Sequence, residues 1–311
     1  TTTENNTVSF TKKNITFIFN ENISPNNWSG NFSISPLTKE SINFKIKNKN
    51  LTLDFNEKLE KNTTYCINLD NCIKDLNEGN VLENLRFSFS TGGYLDSLTI
   101  KGNVIDAFTL EPIANTHVFL QDVSIADSLS FIKKPKYVTK TNSDGDFLIT
   151  NLNNNDYNIF CINGIDYAYQ ENDLIGFYKS SVNANDSNNI ELLMYNPINK
   201  AVEKKDTIEV KENINQTKII INCNTEEQLI IQLYKDKELR KEVILASAPY
   251  IIENIVPENY ILKIILDKNK NSLWDGGNFD LKKLPEKVYL YKDKINIREN
   301  WTVELDCFID R

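Results

Sequence analysis

The sequence predicts an all-β protein of three β-sandwich domains in series, and three observations carry that prediction. Apolar and β-branched residues recur at every second position in runs of about five to eight, the period of a half-buried strand. Asn, Asp, Gly and Pro punctuate these runs at a spacing of about ten residues, as in antiparallel sandwiches. No segment sustains the 3.6-residue period of an amphipathic helix.

In chain order, Ile15, Phe17 and Phe19 share one face of the first run, and similar alternation marks 42–46, 51–55, 65–69 and 85–89. Thr91-Gly92-Gly93 closes this group. The second group holds runs at 98–104, 117–120 and 147–149, and ends at Asn196-Pro197 and the charged run Glu203-Lys204-Lys205-Asp206. The third opens with a hairpin from Leu229 to Ile244, turning at Lys235 to Glu238, and continues with a strand from Tyr260 to Leu266. The expected domains are therefore 1–93, 94–200 and 201–311, each of about 90 to 110 residues, the size of one sandwich. They are not repeats of one another.

Composition narrows the function. Of 311 residues, 25% are charged and 40% hydrophobic, so each domain can bury a core. Asp plus Glu number 43 against 35 Lys plus Arg, and a net charge of -8 repels phosphate backbones and anionic lipid, so no nucleic-acid partner is expected. One His, one Met and ten Gly exclude most metal cages, His-based acid/base chemistry and glycine-rich phosphate loops. No enzyme, and no catalytic or cofactor-binding residue, is expected. His117 alternates with Val118 on its strand and has no G-x-S-x-G turn to serve, so it reads as a packed or edge residue. Asn is about one residue in seven, which looks like codon drift and says little about function.

Five cysteines (Cys66, Cys72, Cys161, Cys223 and Cys307) are odd in number and lack CxxC spacing, so they read as structural thiols. A Cys66–Cys72 disulfide is the less favoured reading, since two residues on one strand and its following turn seldom meet the required geometry. The longest apolar stretches, 250–256 and 260–266, fall far short of the ~20 residues that span a bilayer. The chain starts at Thr1 without Met, so a signal peptide and lipid anchor are expected upstream.

Local motifs add detail. Leu59 to Tyr65 suits a corner between sheets, with the Tyr65 ring buried and its hydroxyl bonded to upstream backbone. Asp75 to Asn80 suits a side-chain-capped turn with Gly79 at positive φ; calcium ligation by Asp75, Asn77 and Glu78 is the less favoured reading. Asp144-Gly145 is a hairpin signal. Asp267, Asn269, Asn271 and Asp275 occupy positions one, three, five and nine of a D-x-[DN]-x-[DN] calcium loop. Position six is Ser272 instead of Gly, and position twelve is Asn278 instead of a bidentate Glu. A weak calcium site and an Asx-stabilised hairpin both fit this spacing, the hairpin better. Trp274 and Trp301 read as core or inter-domain anchors.

The first unit's order, 19–23, 59–65, 73–80 and then Phe87-Ser88-Phe89-Ser90-Thr91, resembles the bacterial Ig-like domain first described in S-layer proteins. Gly102 to Asp106, Pro112-Ile113, His117 to Leu120, Thr141 to Phe147, Leu152 and Tyr157 resemble the carboxypeptidase regulatory-like module, a transthyretin-like sandwich without activity of its own. Tyr94 to Leu98, Glu171 to Phe177 and the D-x-N-x-N-x-x-W-D-x-G block at 267–276 resemble a family of Bacteroidota envelope lipoproteins. In such proteins Asp-Ser/Thr-apolar sites resemble O-glycosylation acceptors, which makes Ser97, Ser128 and Thr207 candidates.

The resemblance implies an exported, outer-membrane-anchored scaffold on the periplasmic or cell-surface side. It would bind another envelope protein, such as an outer-membrane assembly or export complex. The alternative is a glycan-binding surface protein using Trp28, Trp274 or Tyr rings as stacking platforms.

Overall fold

The computed structural model describes residues 1–125, 133–164, 168–170, 173–186, 189–197 and 216–309. Among them the only helix is a single turn, α1 (Trp28–Asn31), and everything else regular is β. The chain divides into two compact units, one of Thr1–Val104, Ile113–Gln170 and Ser180–Leu192, the other of Ile105–Pro112, Glu171–Lys179 and Leu193–Arg311.

The first unit begins with β1 (Asn14–Ile18), β2 (Ile23–Pro25), β3 (Ser33–Ser35), β4 (Asn43–Lys47), β5 (Asn50–Asp54), β6 (Thr64–Asn68), β7 (Ile73–Asp75) and β8 (Arg86–Ser90). They form the sheets β1-β5-β4 and β3-β6-β8 with a small β2-β7 ribbon, all antiparallel. Alternation decides which face is buried: Ile15 and Phe17 from β1, Leu51 and Leu53 from β5, and Phe87 and Phe89 from β8 enter one core. The expected corner is present. The Tyr65 ring is 2% exposed, and its hydroxyl accepts the Glu60 N–H at 3.0 Å.

The chain continues through β9 (Leu98–Asp106), β10 (His117–Asp122), β11 (Tyr137–Lys140), β12 (Asp146–Leu152), β13 (Asp156–Ile162), β14 (Ile175–Phe177), β15 (Val182–Asn183) and β16 (Asn189–Met194). One sheet runs β12-β9-β16, and another places β10 between β11 and β13, with β15 on β13. Gly102 is required by close approach, since a Cβ there would lie 1.9 Å from the Ile190 carbonyl oxygen. Asp144-Gly145 does form a tight turn, with Gly145 at φ 79° and Asn142 Oδ1 accepting the Asp144 and Asp146 N–H groups. It is not a hairpin, because β11 and β12 on its two sides belong to different sheets.

In the second unit, β17 (Lys218–Cys223), β18 (Gln228–Lys235), β19 (Glu238–Leu245), β20 (Tyr250–Glu253), β21 (Asn259–Asp267), β22 (Val288–Leu290), β23 (Ile295–Asn296) and β24 (Thr302–Cys307) complete the fold. The sheets run β20-β17-β24 and β19-β18-β21-β22, with β23 on β21. β17 and β24 pair in parallel, and the other pairings are antiparallel. Between the sheets lie Ile219, Ile221, Leu229, Ile231, Leu233, Leu262 and Ile264 among others.

Asn abundance has a structural use. Among the described residues, ten of the sixteen non-glycine residues with positive φ are Asn, in a chain with only ten Gly. The short Asn side chain tolerates the left-handed region by bonding locally to backbone, so it takes turn positions that Gly would otherwise fill.

Candidate functional site

The outer face of the β18–β21 pair builds the loop that the sequence singled out. β18 and β21 send alternate residues away from the core, and the register sets Gln228 opposite Asp267, Ile230 opposite Ile265 and Gln232 opposite Lys263. Ile230, Ile265 and Val288 form a small second core there, covered by Phe108, Leu110 and Trp274. Lys263 is buried beside them, donates to the Phe108 carbonyl at 3.1 Å, and lies 4.2 Å from that ring's centre. Burial lowers its ammonium below the ordinary lysine range, opposed by the Asp106 and Glu111 carboxylates.

Asp267, the last residue of β21, is 0% exposed and organises the loop. Its Oδ1 accepts the Asn271 N–H at 3.1 Å, and its Oδ2 accepts the Ser272 N–H and the Gln228 Nε2, each at 2.7 Å. Asn269 Oδ1 accepts the Asn271 N–H and Asn271 Oδ1 accepts the Leu273 N–H, two successive Asx turns. The Asn269 and Asn271 amides both donate to Asp275 Oδ2, the second at 2.8 Å. The four predicted residues therefore do come together, as an Asx-turn network closed by side-chain amide donors.

Sequence reasoning missed Glu286. This residue is 4% exposed and reaches the loop from the strand side. Its carboxylate accepts the Lys268 N–H at 2.9 Å and the Asp275 N–H at 3.1 Å, while its carbonyl accepts the Trp274 indole N–H at 3.0 Å. Burial, together with the nearby Asp275 and Asp267 carboxylates, raises its carboxyl above the ordinary glutamate range, against the pull of the two backbone donors. The signal was present as Leu284-Pro285-Glu286, an acid beside a Pro eight residues after Asn278 at position twelve. Asp267, Asp275 and Glu286 are the carboxylates of the loop. Among the described residues no His, Cys, Asp or Glu cluster has metal-holding geometry.

The remaining candidates sit apart. Asp75 caps its own turn, accepting the Glu78, Asn77 and Asn80 N–H groups, and these bonds hold its carboxyl below the usual range. Ser97 is exposed just before β9, while its neighbour Asp96 is fixed to the Thr64 hydroxyl at 2.9 Å. Ser128 and Thr207 lie outside the described residues. His117 faces Lys140 and Ile162 across its two neighbouring strands. Trp28 stacks on Phe32 and Phe44, and Trp274 packs on Phe108, so both rings serve internal packing; Trp301 is exposed and carries Arg298 over its ring. None of the five cysteines is in a disulfide, and burial pushes the Cys72 thiol up to about 12.

One concavity of the first unit stands out, with a volume of about 730 Å³. Phe10 and Phe55 are buried at it, and Lys12, Lys13, Lys58 and Lys61 are exposed around it. In an acidic chain this is a local concentration of positive charge.

Residues 1–91 match the family model of the bacterial Ig-like domain. This Ig-like module holds the basic groove. No curated protein matches the chain. Among solved structures, the chain is similar to the major pilin subunit of Bacillus cereus, at 11% identity over 58% of each chain and a TM-score of 0.22. It is also similar to the Bacillus anthracis TIE protein, at 12% identity over 98% of this chain and 56% of that one, with a TM-score of 0.22. A streptococcal ancillary pilin aligns at 9% identity over 86% of this chain and 80% of that one, with a TM-score of 0.18. The chain spans little more than half the length of the first two. At these scores the likenesses bear on neither topology nor function. Among the described residues no helix is long and apolar enough to cross a membrane.

Proposed function

We propose that the protein is a non-enzymatic scaffold of the cell envelope that binds another envelope protein. In this reading it is an exported lipoprotein of the Bacteroidota type, tethered to the outer membrane on the periplasmic or surface side. Its three domains are 1–93, 94–200 and 201–311, and its partner belongs to an outer-membrane assembly or export complex. The observation that carries the reading is the groove of the Ig-like module, where Phe10 and Phe55 offer apolar floor and four lysines offer charge to an acidic loop. Elsewhere the conspicuous side-chain clusters serve the fold: the Asp267 loop, the Asp75 turn and the Tyr65 corner each satisfy their own backbone. The loop at 267–278 accordingly acts as an Asx-stabilised structural element, with no metal required.

The test is affinity isolation of the full-length protein from its native membrane in mild detergent, with identification of what accompanies it. A defined envelope protein in fixed ratio supports the scaffold reading. Recovery of the protein alone, together with retention on envelope polysaccharide, would replace it with the glycan-binding one.

A further inference from the structure

The parallel register of β17 and β24 sets Cys223 directly opposite Cys307. Neighbouring strands lie about 4.8 Å apart, inside the Cα separation of about 4.4 to 6.8 Å that a disulfide spans. Paired residues in register point to the same side of a sheet, and both thiols pack on the edge of the same core. Each thiol is the first cause of the other's shifted acidity, as expected of two sulfurs set side by side. No other cysteine is so placed: Cys66 faces Ser35 and Ser88, and Cys161 faces Val118.

We propose that Cys223 and Cys307 are a disulfide-forming pair that joins the first and last strands of the second unit's sheet. Three features suit the site to this chemistry. Both residues are partly exposed, and Cys223 lines a concavity of about 800 Å³ that is open to a reagent. The pair ends both strands, and hydrogen bonds hold it in register on either side. Asn222 Nδ2 donates to Asp306 Oδ1 at 3.0 Å, and Asn224 exchanges two bonds with the Ile309 backbone at 2.8 and 3.1 Å. The thiols also differ. Cys223 is held above the ordinary thiol range and Cys307 below it, each chiefly by the other thiol.

The oxidant is an external disulfide, either a small one such as oxidised glutathione or that of a thiol oxidoreductase. The Cys307 thiolate attacks one sulfur of that disulfide, forming a mixed disulfide and releasing one thiolate. Cys223 then gives up its proton to the released thiolate and attacks the Cys307 sulfur, expelling the second thiolate. Two cysteine thiols are oxidised by two electrons, and one external disulfide is reduced to two thiols.

The test uses the reduced, folded wild-type chain equilibrated in a series of oxidised-to-reduced glutathione ratios, quenched, alkylated under denaturing conditions, and measured by intact mass and peptide mapping. The expected result is loss of two of the five alkylatable thiols in one step, with a single cross-link joining the Cys223 and Cys307 peptides. Cys223→Ser should keep its four thiols free of any internal cross-link and accumulate glutathione on Cys307. Five alkylatable thiols at every ratio would overturn the proposal, as would a cross-link that includes Cys66, Cys72 or Cys161, or glutathione lodged on both Cys223 and Cys307 of the wild type without closure.

Discussion

Replacing Asp267 with Ala removes the carboxylate on which the 267–275 loop is built. Three donors lose the Asp267 oxygens: the Asn271 and Ser272 N–H groups and the Gln228 side-chain amide. The Asn271 N–H keeps Asn269 Oδ1 as a second acceptor and is exposed, so its loss costs little. Ser272 is half-buried and Gln228 is buried, and each forfeits a hydrogen bond to a charged group, about 1.5 to 3 kcal/mol apiece. The second unit should therefore lose about 3 to 6 kcal/mol. Asp267→Asn keeps one acceptor oxygen but aims an amide NH₂ at a donor, and should fall between that variant and wild type. The assay is urea unfolding followed by tryptophan fluorescence in a Trp28→Phe background, which leaves Trp274 and Trp301, both in the second unit. A loss under about 1 kcal/mol for Asp267→Ala would refute the view that this carboxylate, rather than the strands alone, holds the loop.

Other expectations follow from the same contacts. Tyr65→Phe leaves the Glu60 N–H without its acceptor and should cost the first unit about 1 kcal/mol in chemical denaturation; no change would mean that water replaces the hydroxyl. Gly102→Ala drives a methyl into the Ile190 carbonyl and should cost at least about 2 kcal/mol, with lost amide protection along β9 and β16 in hydrogen exchange. Glu286 has a folded-state pKa raised above its unfolded value of about 4.5, so its contribution is full below that pH and is lost as pH rises through the folded value. The stability of wild type relative to Glu286→Gln should accordingly decline from acid toward neutral pH, and an incline would contradict the burial argument. Calcium at millimolar concentration, or its removal by a chelator, should leave the melting temperature of the second unit within about 1 °C, since a bound ligand at many times its dissociation constant adds kilocalories. A larger rise with calcium would revive the metal reading of Asp267, Asn269, Asn271 and Asp275.

Much of the architecture was legible because half-buried strands announce themselves by alternation. Ile15 and Phe17, Leu51 and Leu53, and the 229–244 hairpin with its turn at Asp236-Lys237 all follow it. The unread strands fail for a physical reason. β13 ends in Ile159, Phe160, Cys161 and Ile162, all buried, so its pattern is a continuous apolar run, and β2, β3 and β7 hold three residues each, too few for a period. Asp144-Gly145 marks a real turn but not the hairpin it predicts, because sequence carries no mark of whether the next strand pairs with the last one or crosses to the other sheet. At the candidate site, the four spaced Asp and Asn residues were visible because their contacts are local. Glu286 was not, because the fold returns it from a later segment. The opposition of Cys223 and Cys307 was equally hidden, since parallel pairing of the first and last strands of a sheet is a non-local property.

The most direct test of the scaffold account compares membrane isolates of wild type with those of a Lys58→Glu, Lys61→Glu double variant, which reverses charge at the rim of the Ig-like groove and touches no core residue. The account predicts that wild type brings down one envelope protein in fixed ratio through size exclusion, and that the variant, equally abundant and equally folded by circular dichroism, loses it by at least about tenfold. Wild type recovered alone, or a companion retained undiminished by the variant, would contradict it.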